Sequence, residues 1–384
     1  MKRTVAVITS SRADYSHLYW PLREIVAHPD LDLKLIAMGP HLSPEFGSTA
    51  AEIEKDGIVI DERIECLLSS DTDVGMAKTI GVATLGLADC LGRMRPDLML
   101  LIADRYEMLA PASVALALRL PVAHIEGGEV SEGAIDDAVR NALTKLSHVH
   151  FTSTQQARSR VIEMGEEAWR VHCVGAPSLD HLQRSRLRTR GEIERELAID
   201  PDQPVILIAY HPATIARDTT FEADALFMAL ESVSGQLVFC YPNADAGSRA
   251  LLERASLFIE KHSNAKLFIN LNPVLYWSLL RRADVLVGNS SSGIMEAATF
   301  GIPAVNVGIR QRGREQGRNI LNAAPTEAAI LKQIEIALSA GFRHSLAGMK
   351  NLYGDGHAAE AIAGVLASVP LGEALLIKKA PKLT

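Results

Sequence analysis

Short apolar runs alternate with amphipathic segments along the first half of the chain. The apolar runs predict strands, and the helical periodicity between them predicts helices. Strands are predicted at 4–9, 31–38, 97–103, 121–125 and 148–152, and helices at 15–28, 74–94 and 111–118. Regular alternation of this kind predicts a parallel sheet that is covered by helices on both faces.

A second alternation follows a charged segment with five arginines, 183–196. Because acidic residues interrupt its basic residues, this segment is predicted to be a solvated helix and linker. Further strands are predicted at 205–210, 237–241 and 266–270, with helices at 221–233, 273–282, 326–338 and 358–369. A chain of 384 residues has room for two domains of ordinary size. We therefore predict domains at 1–176 and 177–365 and a tail at 366–384, frayed from Lys378.

One stretch, 285–308, predicts strand, polar turn, helix, turn and strand in that order. Ser290 and Ser291 lie just after the apolar run that stops at Gly288. Small hydroxyls and free N–H groups at a helix N-terminus suit a phosphate, and Glu296 beyond them suits the two hydroxyls of a ribose. The alternative is that the serines only cap the helix and Glu296 is a solvated first-turn acid.

Composition narrows the classes of partner. The chain is 48% hydrophobic, enough to bury full cores, and its net charge is −7 without a basic block, so neither nucleic acid nor an anionic membrane is expected as a partner. The N-terminus has no signal-peptide pattern, and no apolar run approaches about 20 residues. The four cysteines, Cys66, Cys90, Cys173 and Cys240, are scattered and are predicted to be reduced thiols. A cytoplasmic protein is expected.

Carboxylates and arginines follow three predicted strands of the first domain. Ligands of parallel sheets bind at the carboxyl ends of the strands. Acids held together suit proton transfer, and arginines suit a phosphorylated ligand. Helix capping or solvation explains each residue singly, but not the repetition. The residues are Arg12, Asp14, Asp104, Arg105, Glu107, Glu126, Glu129, Asp136, Asp137 and Arg140.

In the second domain, His211 directly follows a predicted strand and is a candidate ligand-binding or catalytic group, with a structural role as the alternative. The loop 308–314 carries three arginines, among them Arg310, and is predicted to contact a nucleotide rather than to be a flexible basic loop. The chain has no P-loop, H-E-x-x-H or G-x-S-x-G pattern, which argues against the hydrolases that use them.

Ten short motifs occur in one order along the chain. They are RADYS (12–16), HLSPEFG (41–47), DRYE (104–107), HIEGGE (124–129), IDD (135–137), TKLSH (144–148), YHP (210–212), PNADAGS (242–248), GNSS (288–291) and RQRGRE (310–315). Together they resemble the hydrolysing UDP-N-acetylglucosamine 2-epimerases of sialic and legionaminic acid synthesis. The resemblance covers nearly the whole chain.

The resemblance implies a GT-B type fold, two Rossmann-like domains whose parallel sheets face a central cleft. It implies that Ser290 and Ser291 hold a diphosphate and that Glu296 holds the ribose. It further implies catalytic residues and substrate contacts at matching positions. The catalytic set is Asp104, Glu126, Asp136 and His211, and the further contacts are Arg12, Ser16, Arg105, Asn243 and Arg310.

The implied reaction starts with removal of the C2 proton while UDP leaves C1, which gives a glycal. Water then adds at C1, and a proton returns to C2 from the opposite side. This chemistry needs a base, an acid and stabilisation of the leaving diphosphate. It implies no metal and no redox cofactor, and the family resemblance implies a homodimer. Which carboxylate removes the proton stays open.

Three positions depart from the family pattern: His17 stands where relatives have Lys, Asn141 where they have His, and 270–273 lacks a His. They leave the sugar open between UDP-GlcNAc and UDP-2,4-diacetamido-2,4,6-trideoxyglucose. The alternatives are a non-hydrolysing 2-epimerase, a GT-B glycosyltransferase, and an inactive nucleotide-sugar sensor. Glycosyl transfer does not need the acids that follow the strands of the first domain.

Overall fold

The chain forms two parallel sheets in two separate units. Unit 1 comprises Met1–His181 and Tyr353–Thr384, and unit 2 comprises Leu182–Leu352. A computed structural model describes residues 2–68, 72–102, 104–130, 135–211, 220–241, 248–269 and 271–380. The two-sheet α/β architecture predicted from the alternation is confirmed.

The sheet of unit 1 has seven parallel strands. They are β1 (Arg3–Thr9), β2 (Leu31–Met38), β3 (Glu62–Ile64), β4 (Leu98–Ile102), β5 (Val122–Ile125), β6 (Val149–Thr152) and β7 (Val171–Cys173). Their order is β3-β2-β1-β4-β5-β6-β7. The order reverses between β1 and β4, which pair in register from Val5 and Leu98. The loops after these two strands therefore meet at the topological switch point, where parallel sheets bind ligands.

Helices cover both faces of this sheet. They are α1 (Arg12–Ala27), α2 (Ala50–Lys55), α3 (Asp73–Met94), α4 (Leu109–Leu118), α5 (Ile135–Leu146), α6 (Gln155–Glu163) and α7 (Asp180–Arg184), the last of which crosses into unit 2. Along β1, Val5 and Val7 face one core while Ala6 and Ile8 face the other, as the period of two requires. Because helices cover both faces of the strand, nearly all of its residues are buried and apolar.

Helix α1 begins at a sequence-encoded cap. Ser11 accepts a hydrogen bond from the Asp14 amide, and Asp14 reaches back to the Ser11 amide, which is a capping box. Leu18, Leu22 and Ile25 form its fully buried stripe. These two constraints fix where α1 starts and how it is rotated about its axis.

Unit 2 has a six-stranded parallel sheet. Its strands are β8 (Val205–Ala209), β9 (Gln236–Tyr241), β10 (Ala265–Ile269), β11 (Val285–Gly288), β12 (Ala304–Val307) and β13 (Ile320–Ala323), in the order β10-β9-β8-β11-β12-β13. Its helices are α8 (Arg190–Glu196), α9 (Thr220–Glu231), α10 (Ser248–Lys261), α11 (Pro273–Arg282), α12 (Ser291–Ile294), α13 (Glu296–Thr299), α14 (Glu327–Leu338) and α15 (Ala340–Ser345). The order reverses between β8 and β11.

The chain returns to unit 1 with α16 (Ala358–Ser368) and α17 (Glu373–Leu376). This corrects the predicted boundaries, which placed residues up to 365 in the second domain. Ile362 and Leu366 lie in the same core cluster as α1. The buried Asp180 carboxylate accepts from the first two amides of α16, Ala358 and Ala359, at 3.0 and 2.9 Å.

The predicted fraying from Lys378 is also corrected. The Lys378 ammonium donates to the backbone oxygens of Lys145 and Ser147, both at 2.9 Å, and pairs with the buried carboxylate of Glu166. Arg170 holds the preceding turn through the Leu375 oxygen at 2.7 Å. These contacts secure the chain as far as Lys378.

One helix in the described part of the chain, α3, is long and apolar enough by length and composition to span a membrane. Lys78 and Asp89 interrupt its sequence, which is why no continuous apolar run was predicted. Ala83, Leu87 and Leu91 are fully buried in a core of unit 1. Their burial is the packing expected of a helix on an α/β sheet.

Candidate functional site

The acids predicted after the strands of unit 1 gather around Arg140. The Arg140 guanidinium pairs with Asp104, which follows β4, and with Asp137 on its own helix at 3.4 Å. Its side chain is only 3% exposed, and it also donates to the Glu129 oxygen at 3.0 Å. A buried cation of this kind is stable only when carboxylates compensate it. We call Asp104, Asp136, Asp137 and Arg140 the acid cluster.

Asp136 is a half-buried member of the acid cluster. Its burial, together with the nearby Asp104 carboxylate, raises its pKa, although Arg140 and Arg105 oppose the rise. A carboxyl group whose pKa is raised in this way is a candidate for general acid–base chemistry. The acid cluster is therefore able to hold and release a proton.

Glu126 lies at the end of β5 in a left-handed backbone conformation, with φ of 66°. Its amide donates to the Phe151 oxygen at 2.8 Å. Its carboxylate contacts the Nδ1 atom of His17, on α1, at 2.8 Å. Gly128 follows, and a Cβ there would lie 2.4 Å from the Ala157 oxygen, so only glycine fits this turn.

A buried polar group lies under the switch point of unit 1. Arg105 pairs at 2.7 Å with Glu107, which is fully buried. Asp14 accepts from the Ser10 hydroxyl at 2.6 Å, and burial raises its pKa against the opposing charge of Arg105. His41 bridges two threonine hydroxyls, and burial, followed by the charge of Arg105, lowers its pKa to about 4.

Two predicted contacts of unit 1 lie elsewhere. The Arg12 side chain is 68% exposed and pairs with Glu52 at 3.5 Å. Ser16 is exposed, and its backbone oxygen contacts the Nε2 atom of His181 at 2.8 Å. Neither side chain contacts the acid cluster in the described structure, so their role in binding stays a prediction.

In unit 2, the loops after β8 and β11 are joined at the switch point. The buried Asn289 accepts from the His211 amide at 2.7 Å and donates to the His211 oxygen at 2.8 Å. The amides of Asn289 and Ser290 both donate to the Ala209 oxygen at 3.2 Å. A Cβ at Gly288 would lie 2.1 Å from that oxygen. We call residues 288–291 the serine turn.

The helix predicted after the serine turn is two short pieces, α12 and α13. Ser290 caps the first, accepting from the Ser292 amide at 3.3 Å. Glu296 begins the second and is half-buried. The phenol of Tyr276 interacts with Ser292 and Ser290, and burial raises its pKa. The turn therefore presents serine hydroxyl groups rather than charges.

Two side chains of the loop that follows β12 contact the serine turn. Arg310 and Gln311 both donate to the Asn289 oxygen at 2.9 Å. Asn243, the remaining predicted contact, lies outside the described residues. Sequence reasoning noted His17 only as a departure from the family pattern and did not predict its contact with Glu126. It missed Tyr276 and the bridging role of Asn289. The last of these had a signal, since Asn289 and His211 both directly follow strands that pair in the sheet.

The fold and these two sites define a protein with two parallel α/β units, one carrying an acid–base group and the other a polar turn suited to an anion. The family model described as UDP-N-acetylglucosamine 2-epimerase matches residues 23–367. The chain belongs to this family.

Relatives with established names are similar over most of the chain. It is 36% identical to the GDP/UDP-N,N'-diacetylbacillosamine 2-epimerase (hydrolyzing) of Campylobacter jejuni, over 84% of each chain. It is 35% identical to the UDP-N,N'-diacetylbacillosamine 2-epimerase (hydrolyzing) of Legionella pneumophila, over 98% of this chain and 99% of the relative.

Solved structures share the fold. A UDP-N-acetylglucosamine 2-epimerase structure from Listeria monocytogenes matches with a TM-score of 0.79 at 17% identity, over 96% of each chain. The Neisseria meningitidis UDP-GlcNAc 2-epimerase bound to UDP-GlcNAc matches with a TM-score of 0.73 at 17% identity, over 94% of this chain and 99% of that one. The GT-B type predicted from the sequence is confirmed.

Proposed function

We propose that this chain is a hydrolysing 2-epimerase, which converts a UDP-linked 2-acetamido sugar into UDP and a free sugar inverted at C2. The observation that carries the proposal is the acid cluster at the carboxyl edge of the sheet in unit 1. Glycosyl transfer to an acceptor has no use for several carboxylates around a buried arginine. Removal and return of a carbon-bound proton require such groups.

The acid cluster and Glu126 take the proton-transfer roles. One carboxylate accepts the C2 proton, and the C2–H electrons form the C1–C2 double bond as the C1–O bond breaks and UDP leaves. Water then adds to the double bond: its oxygen bonds to C1, a second carboxyl group gives its proton to C2, and the proton that the water loses passes to the resulting carboxylate. Asp104, Asp136 and Glu126 are the candidates for both roles.

The serine turn and Arg310 take the leaving group. Hydroxyls and backbone amides stabilise the developing negative charge of the diphosphate without exchanging protons with it. In the same proposal Glu296 binds the ribose and His211 completes the catalytic set. The further substrate contacts are Arg12, Ser16, Arg105 and Asn243. We also propose a homodimer and a cytoplasmic location, of which the first is tested by light scattering.

The proposed sugar is 2,4-diacetamido-2,4,6-trideoxyglucose, which is N,N'-diacetylbacillosamine. The support is the name carried by the Campylobacter and Legionella relatives, at 36% and 35% identity. UDP-GlcNAc is the second candidate, because the neighbouring Neisseria structure holds it.

Proton NMR in D2O tests the reaction. The purified protein is incubated with each UDP-sugar, and anomeric signals and C2 deuteration are followed. Free UDP with a C2-deuterated manno sugar is the expected result, with the diacetamido substrate turned over faster. A UDP-linked manno sugar would establish the non-hydrolysing alternative. No turnover and no deuteration of either donor would overturn the epimerase proposal and direct the search to glycosyl acceptors.

A further inference from the structure

The contact between His17 and Glu126 joins two elements that are far apart in sequence. His17 lies on α1, and Glu126 lies 109 residues later, after β5. The Nδ1–Oε1 distance is 2.8 Å. An ionised carboxylate only accepts hydrogen bonds, so the Nδ1 atom of His17 is the donor.

Both partners of this contact are held by their backbones. Glu126 adopts a left-handed φ of 66°, a conformation that costs a non-glycine residue free energy unless its surroundings fix it. The capping box between Ser11 and Asp14 fixes the start of α1, and its buried apolar stripe fixes the rotation. The two side chains therefore meet because the fold brings them together.

The pair connects the interior with solvent. The His17 side chain is 31% exposed, while that of Glu126 is 13% exposed. Within the part of the chain that the structure describes, the titratable groups facing His17 include Glu126 and His181. Burial, and secondarily the charge of His17, lowers the pKa of His181. The ring is placed to exchange protons with water on one side and with the carboxylate on the other.

We infer that His17 is the positioning residue and proton-exchange partner of Glu126, an inference that rests on the proposed function. The Nδ1–H bond of the imidazolium breaks, its electron pair stays on nitrogen, and the proton forms an O–H bond at Oε1 of Glu126. The neutral ring keeps its Nε2–H, and it becomes an imidazolium again by taking a proton from solvent. Glu126 delivers its proton to C2 of the sugar and becomes a carboxylate again.

Kinetics of three variants test this role: His17→Gln, His17→Lys and, as a control at the residue that follows the same helix, His28→Gln. We expect His17→Gln to lower kcat about 10- to 100-fold, the lower part of the range for general acid–base groups. The wild-type kcat should depend on pH through the proton that His17 exchanges, and His17→Gln should lose that dependence. His17→Lys should keep a charged donor to higher pH, and His28→Gln should follow the wild type.

A second measurement reads the contact without activity. Long-range ¹H–¹⁵N NMR at a pH where the ring is neutral should show His17 protonated at Nδ1 in the wild type and at Nε2 in Glu126→Ala. An unchanged tautomer in Glu126→Ala, or a His17→Gln enzyme with the wild-type rate and pH profile, overturns the pairing while the epimerase function stands. Absence of any UDP-sugar turnover in the wild type instead overturns the function, and the proton-exchange role falls with it.

Discussion

The acid cluster and the serine turn occupy equivalent places in two sheets of the same kind, yet their chemistry differs. Each lies where strand order reverses, after β4 in unit 1 and after β11 in unit 2. The acid cluster is made of charged groups around a buried arginine. The serine turn is made of neutral groups that Asn289 ties to His211. The topology therefore selects where a site forms, and the loops select whether it exchanges protons or holds an anion.

The largest expected effect comes from replacing Asp104, and it distinguishes proton transfer from nucleotide binding. In Asp104→Asn the amide cannot accept a proton, and Arg140 loses a charged partner. We expect kcat to fall about 10³-fold, within the range for loss of an acid–base group, while the Kd for UDP changes less than about twofold. Stopped product assays and calorimetric titration with UDP measure the two quantities.

The exposed Asp32→Asn, on the same sheet and paired at 3.6 Å with Lys34, is the matched control and should leave both quantities unchanged. A large loss of UDP affinity in Asp104→Asn would mean that the acid cluster binds the nucleotide. The division of roles between the two sites would then be wrong.

A substitution in the serine turn should act through the backbone and not through the loss of a charge. In Gly288→Ala the new Cβ lies 2.1 Å from the Ala209 oxygen, and neither backbone segment is free to yield. We expect a loss of about 3 kcal/mol in the free energy of unfolding and weaker UDP binding. Denaturant unfolding and calorimetric titration measure them.

Gly57→Ala is the control, since its φ of 80° is positive, as is the φ of 146° at Gly288, but no atom lies within 4 Å of the added Cβ. It should cost about 1 kcal/mol, the conformational term alone. Equal losses in the two variants would show that crowding at the Ala209 oxygen does not hold the turn.

The thermal unfolding transitions of the two units should respond differently to a fall in pH. In unit 1, burial lowers the pKa of both His41 and His148 to about 4. Their neutral forms stabilise the fold above the unfolded value of about 6.5, and this contribution is lost as the pH falls towards 4. At pH 5 each would cost on the order of 2 kcal/mol.

Scanning calorimetry at pH 7.5 and pH 5.0 should therefore show the transition of unit 1 moving to lower temperature more than that of unit 2. In His41→Gln the pH-dependent loss should become smaller. A transition of unit 1 that stays in place on acidification would contradict the assignment of neutral buried rings.

Sequence patterns predicted most of the strands and the residues that follow them, because apolar periodicity and the strand-end rule are local properties. They missed β3, β7 and β13, which lie at sheet edges and are only three or four residues long. The gathering of Asp104 with Arg140 followed from that rule. The side-chain directions of Arg12 and His17 did not, since they depend on the rotation of α1, which tertiary packing sets. The apolar pattern of α16 did not predict that this helix packs in unit 1, because an apolar stripe fits either core equally well.

The smallest expected effect tests how charge tunes the acid cluster. Arg140 lowers the pKa of Asp136 against the rise caused by burial and Asp104. Removing this charge in Arg140→Met should raise that pKa further, so Asp136 stays protonated to higher pH. If Asp136 takes part as a base, the acidic limb of kcat/KM moves to higher pH, whereas Arg140→Lys retains the charge and moves it less.

The pH dependence of kcat/KM, measured on variants shown by circular dichroism to be folded, checks the order of these shifts. A limb that stays in place in Arg140→Met would mean that the essential ionisation belongs to a group outside the reach of Arg140, and Asp136 would then not be the base.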